Sequence, residues 1–201
     1  MPKIIGGSLS EHRERTRARL FEALTTLMAE RGFDAITLAD IAQEAGVGRT
    51  ALYNHFPDKE SLLLAFIYET TEAYVVALER TLEGVSDPVE QLRTYVRQHV
   101  DRKKTYYPAP GVDLRSVMSR ESAQQLRQHA SLVEDVLRRI LVAGIDAGVF
   151  AEQPVAMTVP LVNASLGSRG VPDEEGPERE AAIEAIEAFV LRAVGAQASA
   201  A

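Results

Sequence analysis

The sequence predicts an all-α protein, with a three-helix domain at the N-terminus and a larger helical domain behind it. Three observations predict this. Apolar residues recur at helical spacing along most of the chain, glycine and proline fall between those stretches, and no convincing run alternates apolar and polar residues as a strand would. At 201 residues with 46% hydrophobic content, the chain can bury one large core or two modest ones.

The first predicted helix covers residues 10 to 31. Ser10 is its candidate N-cap, Leu20, Leu24, Leu27 and Met28 share one face with Phe21 at the margin, and Gly32 ends it. Residues 1–9 (MPKIIGGSL) hold a glycine pair and no periodicity, and read as a loose arm. Arg13 and Arg17 lie one turn apart on the continuation of the apolar stripe, with Arg15 and Arg19 on the opposite side. Two readings stay open for Arg13 and Arg17: a solvated helix start interleaved with Glu11 and Glu14, or a phosphate contact.

The next stretch, TLADIAQEAGVGRTALYNHFPDKESLL from Thr37 to Leu63, reads as two short helices broken by a glycine turn and followed by a third. Thr37 is an N-cap, and Leu38, Ile41, Ala42 and Ala45 make one side apolar while Asp40, Gln43 and Glu44 face water. Gly46 supplies the left-handed backbone that ends this helix, and Val47 plugs the angle before Gly48 opens the next. In that second helix Leu52 and Phe56 point inward, leaving Arg49, Thr50, Tyr53, Asn54 and His55 on a polar, mostly outward face. Pro57 ends it and Asp58 caps its successor. An outward face of hydrogen-bonding side chains, in place of the usual Glu and Lys, suits the base edges of a major groove. An ordinary helical corner in an all-α core is the bland alternative.

The run Leu52, Tyr53, Asn54, His55, Phe56, Pro57, Asp58, Lys59, Glu60, Ser61, Leu62 resembles the Leu-Tyr-x-(His/Tyr)-Phe-x-x-Lys-x-x-Leu signature of TetR-type (tetracycline-repressor-like) transcriptional regulators. The resemblance covers about residues 11 to 66; beyond them only length and helical layout are similar. It implies that Tyr53 and His55 contact the phosphate backbone, that Lys59 reaches a phosphate from the start of the fourth helix, and that Arg49 and Thr50 sit where sequence is read. Two positions depart from the family pattern: Gly48 stands where serine or threonine is frequent, and Ala51 where threonine is. Losing those hydroxyls shifts base readout toward Arg49 and Asn54. The candidate DNA-binding set is therefore Thr37, Gly48, Arg49, Thr50, Tyr53, Asn54, His55 and Lys59.

Charge is unevenly spread. Residues 1–57 hold seven Lys/Arg against seven Asp/Glu, and the remainder, fifteen against twenty-two, carries the whole net charge of −7. An acidic body behind a neutral head argues against a nonspecific nucleic-acid coat or an anionic-membrane binder. The absence of cysteine excludes disulfides and thiolate metal sites. No apolar run is judged long enough to span a bilayer and no signal peptide is read, so a cytoplasmic protein without a membrane partner is the expectation.

From Asp58 a long helix is predicted to about Leu82. Leu62, Leu63, Phe66 and Ile67 pack toward the head, while Tyr74, Leu78 and Leu82 extend the stripe, so the rod reads as a strut and as a lever joining two domains. Asp87-Pro88-Val89-Glu90 starts the next helix, which runs through Leu92, Val96 and Val100 toward Lys104. Tyr106-Tyr107-Pro108-Ala109-Pro110-Gly111 is a stiff aromatic connection. A short helix around Asp113 to Arg120 follows, then a longer one from Ala123 to Ala147 lined by Leu126, Leu132, Val133, Val136, Leu137, Ile140 and Leu141, with Gly148 beyond it.

The resemblance implies an effector cavity among residues 87–168. Candidate ligand-binding residues are Tyr95 and His99, one turn apart, with Tyr107, Arg115, Met118 and Asn163; core packing or a surface charge explains each equally simply. The last two helices, Gln153 to about Ser168 and from Pro177 onward, carry much apolar surface. Val162, Leu166, Ile183, Ile186, Phe189 and Val190 are the candidate dimer interface, with burial inside one chain as the alternative. Gly167 to Gly176 reads as a polar loop and Ala196 to Ala201 as a frayed end.

The resulting expectation is an N-terminal three-helix helix-turn-helix domain (1–57) plus a C-terminal helical ligand-binding and dimerisation domain (58–201). The function it implies is a repressor that binds a palindromic double-stranded DNA operator as a homodimer and is released by a small-molecule effector. Neither a catalytic residue, a metal site nor a cofactor is expected. His12, His55, His99 and His129 form no metal-type pair, and neither a nucleophile elbow nor a phosphate-cradling glycine loop is present. An effector-independent architectural DNA-binding protein and a helical enzyme with an accessory DNA-binding domain remain the alternatives.

Overall fold

Periodicity in the sequence becomes helix throughout the regular structure of the described residues. The computed structural model describes residues 7–106, 118–166 and 171–196. Its helices are α1 (Gly7–Arg31), α2 (Leu38–Glu44), α3 (Arg49–His55), α4 (Lys59–Leu82), α5 (Pro88–Tyr106), α6 (Arg120–Asp146), α7 (Val155–Leu166) and α8 (Pro177–Ala193). The expected short helix from Asp113 lies almost wholly outside the described residues, as do the 107–111 connection, most of the N-terminal arm and the last five residues. The chain divides into two compact units. One takes the described residues of Met1–Glu69 and Pro108–Leu126, the other those of Thr70–Tyr107 and Arg127–Ala201.

In the first unit, α1 starts three residues earlier than expected. Ser10 is not a cap but lies inside the helix, its hydroxyl donating to Glu14 Oε1 at 3.2 Å. The helix ends at Gly32, whose φ of +74° suits the left-handed position after a helix. Thr37 then builds a full capping box. Its Oγ1 accepts from Asp40 N at 3.2 Å, and the Asp40 carboxylate accepts from Thr37 N at 2.8 Å. The turn after α2 closes through Val47 N to Ala42 O at 2.9 Å, with Gly46 at φ +59°. Asp58 Oδ1 accepts from Ser61 N at 2.7 Å and so starts α4. Leu20, Leu24, Ile41, Leu52 and Leu62 are essentially inaccessible to solvent and form the centre of this core. Burial of each contributes about 1.5–3 kcal/mol.

The second unit is built around Leu78, Leu92, Tyr95, Val96, Leu137 and Leu141. Asp87 Oδ1 accepts from Val89 N at 3.1 Å, so α5 begins as the Asp-Pro pair predicts. At the end of α6 the amides of Val149 and Phe150 both donate to Gly144 O, and the Phe150 ring lies so close that a Cβ on Gly144 would come within 2.0 Å of it. One proline breaks the expected pattern: Pro160 lies inside α7, on its exposed side, where the carbonyl freed by its missing N–H belongs to the exposed Ala156. Leu132, expected in the α6 core stripe, is 39% exposed. The start of the α7 segment is tied to the end of α8 by Ala151 N and Gln153 Nε2, which donate to Val194 O at 3.2 and 2.9 Å.

α4 corrects one expectation outright, since it is long and apolar enough to cross a membrane. Its apolar residues are spent elsewhere. Leu62, Leu63, Phe66 and Ile67 fill the first core, and Tyr74 and Leu78 the second. Clustering core residues on two successive stretches raises the mean hydropathy of α4.

Candidate nucleic-acid interface

The site is built on α3. Leu52, at 1% exposure, and Phe56, at 4%, anchor the helix to the core, and this fixes which side is free. Arg49, Thr50, Ala51, Tyr53 and Asn54 are exposed, and His55 is half-buried. Gly48 caps the helix by backbone alone, at φ −64° and ψ 140°, with no side-chain acceptor for the first amides. Arg19 of α1 steadies the preceding turn by donating from Nη2 to Gly46 O at 3.0 Å.

Beside the end of α3 lies a cleft of about 440 Å³ lined by Ser10, Arg13, Glu14, Arg17 and His55. The two arginines differ. Arg17 is committed: Nε donates to Glu69 Oε2 at 2.7 Å, and its guanidinium lies 5.1 Å from the Phe21 ring centroid and 5.6 Å from that of Phe56. Arg13 is exposed at the cleft. Burial lowers the pKa of His55, and the charges of Arg13, Arg17 and His12 lower it further. The guanidiniums of Arg13 and Arg17 beside His55 make this side of the cleft favourable to an anion, with Glu14 on the same lining opposing it in part.

Two residues of the expected DNA-binding set are otherwise engaged. The Thr37 hydroxyl donates to Asp40 Oδ2 at 2.6 Å while accepting from Asp40 N, which spends it on the cap of α2. Lys59 points back into its own unit: Nζ donates to the carbonyls of Phe33, Asp34 and Ile36 at 3.1, 3.3 and 3.3 Å, and lies 4.6 Å from the Phe33 ring centroid. An ammonium has three N–H groups. All three are satisfied without a phosphate, which differs from the outward lysine that the family signature implies.

In the second unit three of the candidate ligand residues come together. Tyr95, fully buried, donates from its hydroxyl to Asn163 Oδ1 at 2.7 Å, and its ring centroid lies 5.7 Å from that of His99. Tyr74 meets His99 edge-on at 6.4 Å. Met118 does not join them, because it packs on the core of the first unit. Tyr107 and Arg115 lie outside the described residues.

The dimer expectation needs correction. Val162, Leu166, Ile183 and Val190 are 5% exposed or less within a single chain, so they have almost no surface left to give a partner; Ile186 is half-buried. Phe189, at 53%, does face outward. Outside the expected set, Met157 and Leu161 are exposed at 61% and 66% on the other side of α7 from Val159 and Val162. Their four-residue spacing, offset from the buried pair, was the available signal. Glu60, Ser119 and Ser122 were also missed: Ser119 N donates to Glu60 Oε1 at 2.8 Å.

Comparison with known proteins gives a consistent result. Residues 20–66 match the family model for bacterial regulatory proteins of the tetR family, and residues 85–167 match a tetracyclin repressor-like C-terminal domain. The TetR family transcriptional regulator PfmR from Thermus thermophilus is 30% identical, with 87% of this chain and 97% of that chain covered and a TM-score of 0.71. RolR, solved in complex with resorcinol, is 28% identical over 94% of this chain and 92% of its own, with a TM-score of 0.61. The HTH-type transcriptional regulator HbdR of Aromatoleum sp. (strain CIB) is 33% identical over 79 residues, 39% of this chain; the match spans only 34% of HbdR.

Proposed function

This chain belongs to the TetR family of bacterial regulatory proteins, and from that premise we propose that it is a homodimeric repressor that reads a palindromic operator with α3 and leaves it when a small molecule occupies its second unit. Its homologues are DNA-binding transcriptional regulators and not enzymes. The observation that carries the reading is the exposed face of α3, anchored by Leu52 and Phe56 and presenting Arg49, Thr50, Tyr53 and Asn54. Arg49 and Asn54 supply base contacts; a bidentate arginine–guanine pair contributes about 1–3 kcal/mol of discrimination. Tyr53, His55 and Arg13 supply phosphate contacts that hold the helix in register. The site of action is the cytoplasm, where such an operator lies.

One helix-turn-helix reads a half-site, and two are needed about 34 Å apart or a multiple of that. The pairing surface takes in Met157 and Leu161 of α7 and Phe189 of α8, each apolar and exposed in the single chain. The effector site is centred on Tyr95, His99 and Asn163, where buried aromatic rings and a few placed polar groups suit a flat or lipophilic molecule. Release requires only that the effector favour a conformation in which the two heads no longer match the groove spacing. A coupling of about 1–3 kcal/mol changes operator affinity roughly 5- to 150-fold.

The test is selection of bound duplexes from a randomised library by the purified protein, followed by a screen for compounds that release them. A two-fold symmetric consensus and a releasing compound support the reading. A consensus with no compound able to release it favours the effector-independent alternative, and a library that shows no enrichment removes the DNA-reading role.

A further inference from the structure

The start of α4 carries two charged residues that face different neighbours. Lys59 closes on the turn between α1 and α2: its ammonium bridges the carbonyls of Phe33, Asp34 and Ile36, and that turn ends at Thr37, the residue that caps α2. Glu60, the next residue, closes on the start of α6. Its carboxylate accepts from Ser119 N, and the hydroxyls of Ser122 and Ser119 hold it in the charged form by lowering its pKa. Ser122 is itself buried, and Ser119 Oγ donates to Ser122 Oγ at 3.0 Å, so the acceptor is set in an ordered pair of hydroxyls. A carboxylate at the first turn of α6 is also favoured by that helix's dipole.

Consequences for α3 follow from how the head is strung together. The turn at 33–36 sets where α2 begins. The turn after α2 is closed onto that helix by Val47 N to Ala42 O and held to α1 by Arg19 on Gly46 O; it runs straight into α3, which packs on α2. A shift of α4 therefore pulls on α2 through Lys59, and α2 cannot move without α3. Both α4 and α6 continue by sequence from the first unit into the second.

We infer that Lys59 and Glu60 are a pair of positioning residues for operator reading: Lys59 ties the launch of α2 to α4, Glu60 ties the start of α6 to α4, and together they set the orientation of α3. The inference rests on the DNA-reading role proposed above and departs from a phosphate contact by Lys59.

The experiment uses the full chain, a duplex selected by the wild-type protein from a randomised library, and poly(dI-dC) as nonspecific DNA. Binding of Lys59→Met, Lys59→Arg and Glu60→Leu is measured over a salt series, at a temperature where circular dichroism shows each to be folded. Lys59→Met keeps an unbranched apolar side chain and loses the three bonds. It is expected to bind the selected duplex on the order of tenfold more weakly, with unchanged affinity for poly(dI-dC) and an unchanged salt slope. Lys59→Arg restores most of the preference, and Glu60→Leu lowers it in the same selective way. Equal loss on both DNAs with a slope reduced by about one per protomer would mean that Lys59 touches phosphate, and overturns the inference. Lower melting temperatures with an intact preference would make the pair merely structural, and also overturn it. Should Lys59→Met fail to fold, Glu60→Leu alone decides on the same criteria. A wild-type protein that prefers no duplex fails at an earlier step, and removes the DNA-reading role together with this inference.

Discussion

Glu187 of α8, only 3% exposed, holds Arg97 of α5 through Oε1 at 2.6 Å while its other oxygen takes Arg93 Nη1 at 3.0 Å. One buried carboxylate thus joins two helices through two half-exposed arginines, and the consequences of removal are unequal. Glu187→Gln leaves Arg97 paired with Glu180 and Arg93 with Glu90, both half-exposed to water, and is expected to cost about 1–2 kcal/mol. The double variant Arg93→Met with Arg97→Met strands the carboxylate, and is expected to cost about 3–5 kcal/mol. Urea denaturation monitored by circular dichroism checks the order; equal losses would show that Glu187 is not desolvated.

Gly48 caps α3 without a side chain, and a Cβ there would meet nothing within 4 Å. Its backbone is ordinary extended backbone, which serine adopts without strain. Gly48→Ser adds an acceptor for the first amides of α3 and is expected to raise stability by roughly a few tenths of a kcal/mol. A thermal melt reads this directly. A lower melting temperature would mean that the cap geometry is not as described.

His55 predicts a pH dependence of DNA binding. Burial, followed by the charges of Arg13, Arg17 and His12, depresses its pKa in the free protein. A phosphate placed at the cleft opposes that repulsion and raises the pKa, so binding takes up a proton. Affinity is then expected to rise as pH falls from about 8 through the ordinary histidine range near 6.5, and to level off below the depressed value of the free protein. His55→Gln is expected to flatten the profile. A wild-type profile that falls toward acid would reverse the sign and place no phosphate there.

The head was the legible part of this sequence because each of its signals is local. Thr37, Gly46, Asp58 and the inward pair Leu52 and Phe56 act within a few residues of themselves, and the structure puts each where spacing predicts. Lys59 was not legible. Its partners, Phe33, Asp34 and Ile36, are main-chain carbonyls more than twenty residues away, and a sequence does not display where carbonyls point. The proposed pairing face was half legible for a related reason. Apolarity marks α7 and α8 as buried-type helices, yet whether Val162 or Leu161 faces the interior depends on a rotation of about 100° between successive residues, fixed by packing against the rest of the second unit.

That rotation yields a prediction for assembly. Leu161→Glu and Phe189→Glu place charge on the exposed apolar residues of α7 and α8, and are expected to give folded monomers by analytical ultracentrifugation with operator binding greatly weakened. Val190→Glu, by contrast, buries an unpaired charge in a residue with no exposed surface and is expected to prevent folding. Folded dimers of Leu161→Glu and Phe189→Glu together would place the interface elsewhere.

If the outward side chains of α3 read base edges as proposed, the decisive quantity is the ratio of affinities of Arg49→Ala for the selected duplex and for poly(dI-dC). The expected result is a loss of preference by about 1–3 kcal/mol, with nonspecific binding reduced little. An equal loss on both DNAs, or no loss on either, would contradict it.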